Sequence, residues 1–132
     1  MSVSRHRTAI EELLISSFAI SRSSMVLVGE NANSPSGNNA AWARMSVTVL
    51  SIYFPCIGQD GFKRTDALFN FQIFTPLATG AEEASDIVDE AIDILRNSAI
   101  SGIEFLEFDV STGDVQADWY NLTMRATYRA DD

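Results

Sequence analysis

The chain has 132 residues, 46% apolar and 20% charged, with 18 acids against nine bases for a net charge of −9. That size and composition suit one globular domain with a real core, and the acidic balance argues against a nucleic-acid binder that grips phosphates with clustered cations. The single Cys56 excludes an internal disulfide and a multi-cysteine zinc site, while no apolar run approaches the roughly 18 residues of a membrane span.

Residues 5–20 place Ile10, Leu13, Leu14 and Phe18 at helical spacing, with Glu11 and Glu12 on the other side. The two glutamates interrupt the apolar stretch, so it does not read as a signal peptide, and the expected product is soluble and intracellular, or a particle component assembled there. After Ser21–Ser24, Met25-Val26-Leu27-Val28 reads as a short strand. Residues 30–40 are almost pure turn-formers, too long for a simple connection, and point to a mobile or partner-binding loop rather than a domain linker. Trp42–Phe54 reads as a long strand, with Met45, Val47 and Val49 on one side and Arg44, Ser46 and Thr48 on the other. Its far end, Leu50-Ser51-Ile52-Tyr53-Phe54, is apolar on both faces and is expected to be deeply covered. Asp60-Gly61 is a hairpin signal, and Phe62–Thr75 returns as the partner strand.

Pro76 closes that strand, because it cannot donate to a sheet ladder. Thr79 and Glu82 have the spacing of a capping box. The helix expected from Gly80 to Asn97 carries an apolar stripe of Ala84, Ile87, Val88, Ala91 and Leu95. Its acids precede Arg96, as the helix dipole favours. Ile103–Val110 is a strand with Leu106, Phe108 and Val110 on one face. A turn at Ser111–Asp114 leads into Asp118–Arg129, with Tyr120, Leu122, Met124, Ala126 and Tyr128 inward. The order α-β-β-β-α-β-β predicts an α+β fold. It has a single mixed or antiparallel sheet of about five strands, two hairpins, and both helices on one face. The whole of residues 1–132 forms one domain, with flexible termini at about 1–4 and 130–132.

Residue types offer little chemistry. His6, between Arg5 and Arg7 near a terminus, reads as a solvated surface residue. Cys56 has no base or electropositive neighbour in the sequence and reads as structural. The acids of the second helix lack the glycine-centred spacing of a calcium loop, and no phosphate or nucleophile-elbow motif occurs. No enzymatic activity, cofactor or metal is therefore expected. Charge distribution offers more. If Arg44, Arg125 and Arg129 share one sheet face with Lys63 and Arg64 near it, that face is basic, opposite an acidic helix. Head-to-tail contact between such faces closes into a ring when the rotation permits.

Ala41-Trp42-Ala43-Arg44, then Lys63-Arg64, then Phe71-Gln72-Ile73-Phe74-Thr75-Pro76-Leu77-Ala78-Thr79-Gly80 with the acidic helix, and last Asp118-Trp119-Tyr120 occur in that order. In this order they resemble the tail terminator-like proteins of long-tailed bacteriophages, over residues 25–129. The chain departs from that pattern at Thr65-Asp66-Ala67, where a glycine is expected, and lacks a glycine between Asp118 and Trp119.

The resemblance implies a small α+β subunit that assembles in the host cytoplasm into a hexameric ring on the tail tube of the virion. The ring stops tube growth and joins the tail to a neck or connector protein, and DNA crosses it without specific binding. On this reading the subunit interface sets Arg44, Arg64, Arg125 and Arg129 against Glu83, Asp86, Glu90 and Asp93. Asn31, Asn33, Asn38, Gln59, Asp60 and Lys63 are the expected contacts to tube or neck. A neck or head-completion protein, or a small-ligand-binding α+β domain, are the alternatives.

Overall fold

Helix α1 (Val3–Ser21) opens the chain in the computed structural model, which describes residues 3–22, 25–29, 40–54, 63–77, 80–100, 102–111, 113–116 and 119–131. Ile10, Leu14 and Phe18 recur every fourth residue and are fully buried, so one stripe of α1 faces the core. His6 lies one turn earlier on the same stripe and is also fully buried, its ring edge-on to Tyr128 at 6.1 Å between centroids. The expectation of a solvated histidine is therefore corrected. Spacing from the apolar stripe outweighed its position near the terminus.

Strand β1 (Val26–Val28) pairs in parallel with the start of β2 (Trp42–Tyr53), which runs antiparallel to β3 (Arg64–Pro76). Helix α2 (Gly80–Arg96) follows, then β4 (Ile103–Val110), the three-residue β5 (Asp114–Gln116) and β6 (Trp119–Asp131). The sheet order is β1-β2-β3-β6-β4, with β5 added beside the start of β6. This is the expected α+β arrangement with a mixed sheet, the short β5 being an addition within the last turn region. Thr79 of the expected capping box and the loop over 30–39 lie outside the described residues. At the C-terminal end Asp131 belongs to β6, where its amide donates to the Gly102 carbonyl at 2.9 Å.

Period-2 alternation sorts the central strands. Thr65, Ala67, Phe69, Phe71, Ile73 and Thr75 of β3 are buried, as are Leu122, Met124, Ala126, Tyr128 and Ala130 of β6. Ala84, Ile87, Val88, Ala91 and Leu95 of α2 are the buried stripe that covers them. Each such large apolar side chain contributes about 1.5–3 kcal/mol on full burial. No helix among the described residues is long and apolar enough to cross a membrane.

Two expectations fail at the sheet edges. The far end of β2 is not covered: Leu50, Ile52 and Phe54 are 55%, 49% and 66% exposed. The register slips between Val49 and Ser51, so Leu50 is the extra residue of a β-bulge. Among the described residues β1 pairs only with Trp42, Ala43 and Arg44, which leaves the rest of β2 as an open edge. In β4 a second slip between Phe105 and Glu107 makes Leu106 the extra residue. Ile103, Phe105, Phe108 and Val110 consequently share the core side, Val110 at its exposed margin, while Leu106 is turned out of that phase and exposed.

Candidate functional site on the open face of the sheet

The residues of β2, β3 and β6 that alternate with the buried ones form the sheet face turned away from the helices. Direct pairing sets Trp42 opposite Phe74 and Pro76 opposite Trp119. The Trp42 and Phe74 rings stack at 4.2 Å with 10° between their planes, and Trp119 meets Trp42 edge-on at 6.3 Å. The Arg44 guanidinium lies 5.4 Å from the Trp42 centroid and 5.9 Å from that of Phe74, within range of cation–π attraction. Three segments far apart in sequence thus converge on one aromatic–arginine cluster. Trp42 and Phe74 are buried although they lie on the open face. The cluster positions β2, β3 and β6 relative to one another, and its residue types supply no nucleophile or base.

Beyond the cluster the face carries a ladder of ion pairs. Arg64 is directly opposite Asp131, Arg129 opposite Asp66, and Arg125 opposite Asp109. Arg64 donates from Nε to Asp131 Oδ1 at 2.8 Å and from Nη2 to Oδ2 at 3.1 Å, a two-pronged pair. Arg129 Nε donates to Asp66 Oδ1 at 3.0 Å, and Arg125 Nη2 to Asp109 Oδ1 at 2.8 Å. The hydrogen bond from Arg64 holds the Asp131 carboxyl below the usual carboxylate range, and its counterpart raises the Arg64 guanidinium. Arg129 is likewise raised, chiefly by its hydrogen bond to Asp66.

Arg44, Arg64, Arg125 and Arg129 therefore do share one face, but that face is not basic. Asp66, Glu104, Glu107, Asp109 and Asp131 are interleaved with them, because register sets opposite charges across neighbouring strands.

On the other side of the sheet, α2 presents Asp86 and Asp93 as exposed residues and Glu83 as half-buried. Asp93 accepts from Arg96 at 3.3 Å within the helix. Glu90 accepts from Arg22 Nε at 2.8 Å, tying the end of α1 to α2. Burial alone would raise the Glu90 carboxyl, but hydrogen bonds from Ser21 and Arg22 and the charge of Arg22 outweigh it, and the pKa is lowered. Lys63 lies half-buried just before β3, whereas Asn31, Asn33, Asn38, Gln59 and Asp60 lie outside the described residues. Among the described residues no cluster of His, Cys, Asp and Glu is arranged to hold a metal ion.

Two shallow cavities flank the β4 edge. One, of about 260 Å3, is bordered by Gly102, Glu104, Arg129 and Asp131. The other, of about 220 Å3, lies between the end of α2 and β4, over Leu95, Ile103, Phe105 and Phe108. Sequence reasoning missed the aromatic cluster and this groove. The cluster had a readable signal, since Trp42, Phe74 and Trp119 each occupy the polar phase of an alternating strand; the groove had none, because it depends on the β4 bulge.

No protein-family model matches the chain, and comparison with curated proteins likewise finds no match. The chain is similar in fold to a solved structure without a functional description, with a TM-score of 0.70 at 16% sequence identity. The match covers 98% of this chain and 96% of the other.

Proposed function

We propose that this chain is a structural virion protein, a tail terminator of a long-tailed phage that acts as a homo-oligomeric ring on the end of the tail tube. The observation that supports the reading is the convergence of the Trp42-Ala43-Arg44, Phe74 and Trp119 segments. These are pieces of the segments that carry the resemblance, and they meet as one structural unit. The α+β architecture agrees with the subunit that the resemblance implies.

On this reading the ring works by surface complementarity, with no bond made or broken. It occupies the growing end of the tube, excludes the next tube subunit, and offers its other side to a neck or connector protein. A net charge of −9 disfavours adhesion of the DNA that crosses the opening. The arginine-to-acid subunit contact loses its basic partner surface, since Arg64, Arg125 and Arg129 are already paired within the chain. The subunit contact is therefore sought elsewhere on the surface.

The test is polymerisation of the cognate tail tube protein in the presence of the purified chain, with tube length measured by electron microscopy. Arrest at one tube end is expected at far less than one copy per tube subunit. Unchanged lengths would remove the capping role, and binding to heads in place of tubes would favour a neck protein.

A further inference from the structure

We infer that successive copies join edge to edge, the exposed apolar end of β2 in one copy filling the groove between α2 and β4 in the next. The inference rests on the ring-forming reading above and names the surface through which that ring is built. Its first half is a projection. Val49, Leu50, Ile52 and Phe54 are large, apolar and exposed along the open edge of β2. Val49 pairs with buried Ala67 and Ile52 with buried Thr65, so both side chains emerge on the helix-bearing side of the sheet. Exposed apolar edges of this kind are a liability unless something covers them.

Its second half is a recess on the opposite edge. Leu95, Ile103, Phe105 and Phe108 floor the groove of about 220 Å3, with Arg96 and Glu104 among its lining residues. It also opens on the helix-bearing side. The exposed Val110 extends its apolar surface along β4.

Three features make a second copy the occupant. Projection and recess lie on opposite edges of one sheet and in the same layer, so a neighbouring copy brings the missing half of each without inverting. Charge is complementary at one point: the projection ends beside Lys63, and the exposed Glu104 borders the groove. A symmetric contact of projection against projection would instead oppose Lys63 to its own copy and leave both grooves empty. The contact is therefore heterologous, the type that repeats around a ring.

Complementation between two variants tests this. Ile52→Asp with Phe54→Asp disables the projection and leaves the groove intact. Ser98→Arg with Glu104→Arg obstructs the groove and leaves the projection intact. All four positions are exposed or half-exposed, and circular dichroism confirms folding of each variant before use.

By native mass spectrometry the wild-type chain is expected to form closed oligomers. Each variant alone is expected to be monomeric, with the assembly midpoint raised at least tenfold. An equimolar mixture retains one working interface per pair and is expected to stop at dimers. Assembly of either variant as in the wild type overturns the inference, as does a mixture that forms no dimer or a wild-type chain that stays monomeric. The tube-length measurement separates this failure from that of the functional reading. Tube growth arrested by a chain whose variants still assemble refutes only this contact. A chain that neither assembles nor arrests growth refutes the capping role.

Discussion

Tyr128 shows how much one side chain of this protein depends on its surroundings. Its ring lies against His6 and Phe105 and is fully buried, with no hydrogen-bond partner for the hydroxyl among the described residues. Burial pushes the phenol up to about 12, the nearby positive charge of Arg7 offsetting part of the effect. A raised acid favours the protonated form in the folded state. Its contribution is therefore complete below the unfolded value of about 10 and is lost as pH rises toward 12, by roughly 2–3 kcal/mol at the limit. Tyr128→Phe should leave stability at pH 7 within about 1 kcal/mol of wild type, since no protein hydrogen bond is broken. Urea melts between pH 9 and 12 should show a smaller loss in the variant than in wild type; parallel losses would assign the effect to other groups. His6 belongs to the same cluster, and its burial was legible in the sequence. Its spacing of four from Ile10 places it on the core stripe, whereas its position near a terminus between two arginines points to solvent.

Elements differ in how openly the sequence declares them. Helix α2 is readable in full, because its apolar residues follow the 3.6-residue period against a strongly acidic background, and each residue of the expected stripe is buried. The far end of β2 misleads because apolar content marks a surface that wants cover without saying whether the same chain supplies it. The helices cover the central strands, and a bulge turns Leu50 out. Between elements, the Arg22–Glu90 pair fastens the end of α1 to α2 at 2.8 Å. Glu90 has a lowered pKa, so its contribution is present above the ordinary carboxylate range and is lost as pH falls through its folded value. Glu90→Gln should cost about 0.5–1 kcal/mol at pH 7. Differential melting temperatures should converge as the buffer is acidified below about pH 4; a penalty that persists there would trace to packing rather than charge.

For the whole molecule, the class of fold was legible and the strand order was not. Alternation tells which face of a strand is buried, but not which strand lies beside it, and β3 meets β6 across the intervening α2, β4 and β5. The charge of the open face depends on the same strand order. Its arginines were visible in the sequence, whereas the opposing Asp66, Asp109 and Asp131 come from neighbouring strands and could be assigned only through the register. The position of β6 between β3 and β4 makes that last strand decisive. Truncation before Trp119 removes the inner partner of β3 and the strand to which β4 bonds, and such a chain should lose cooperative unfolding by circular dichroism. A native-like sigmoidal melt would show that the first half of the sheet is self-sufficient. The order of pairing also has a temporal side. During synthesis the buried phase of β3, Phe69, Phe71 and Ile73, waits for β6, which leaves the ribosome only after α2, β4 and β5. Until then β4 has no strand to dock on, and the groove beneath it does not exist. A chain that stops short of β6 accordingly has no groove, so the contact proposed above would wait for that strand.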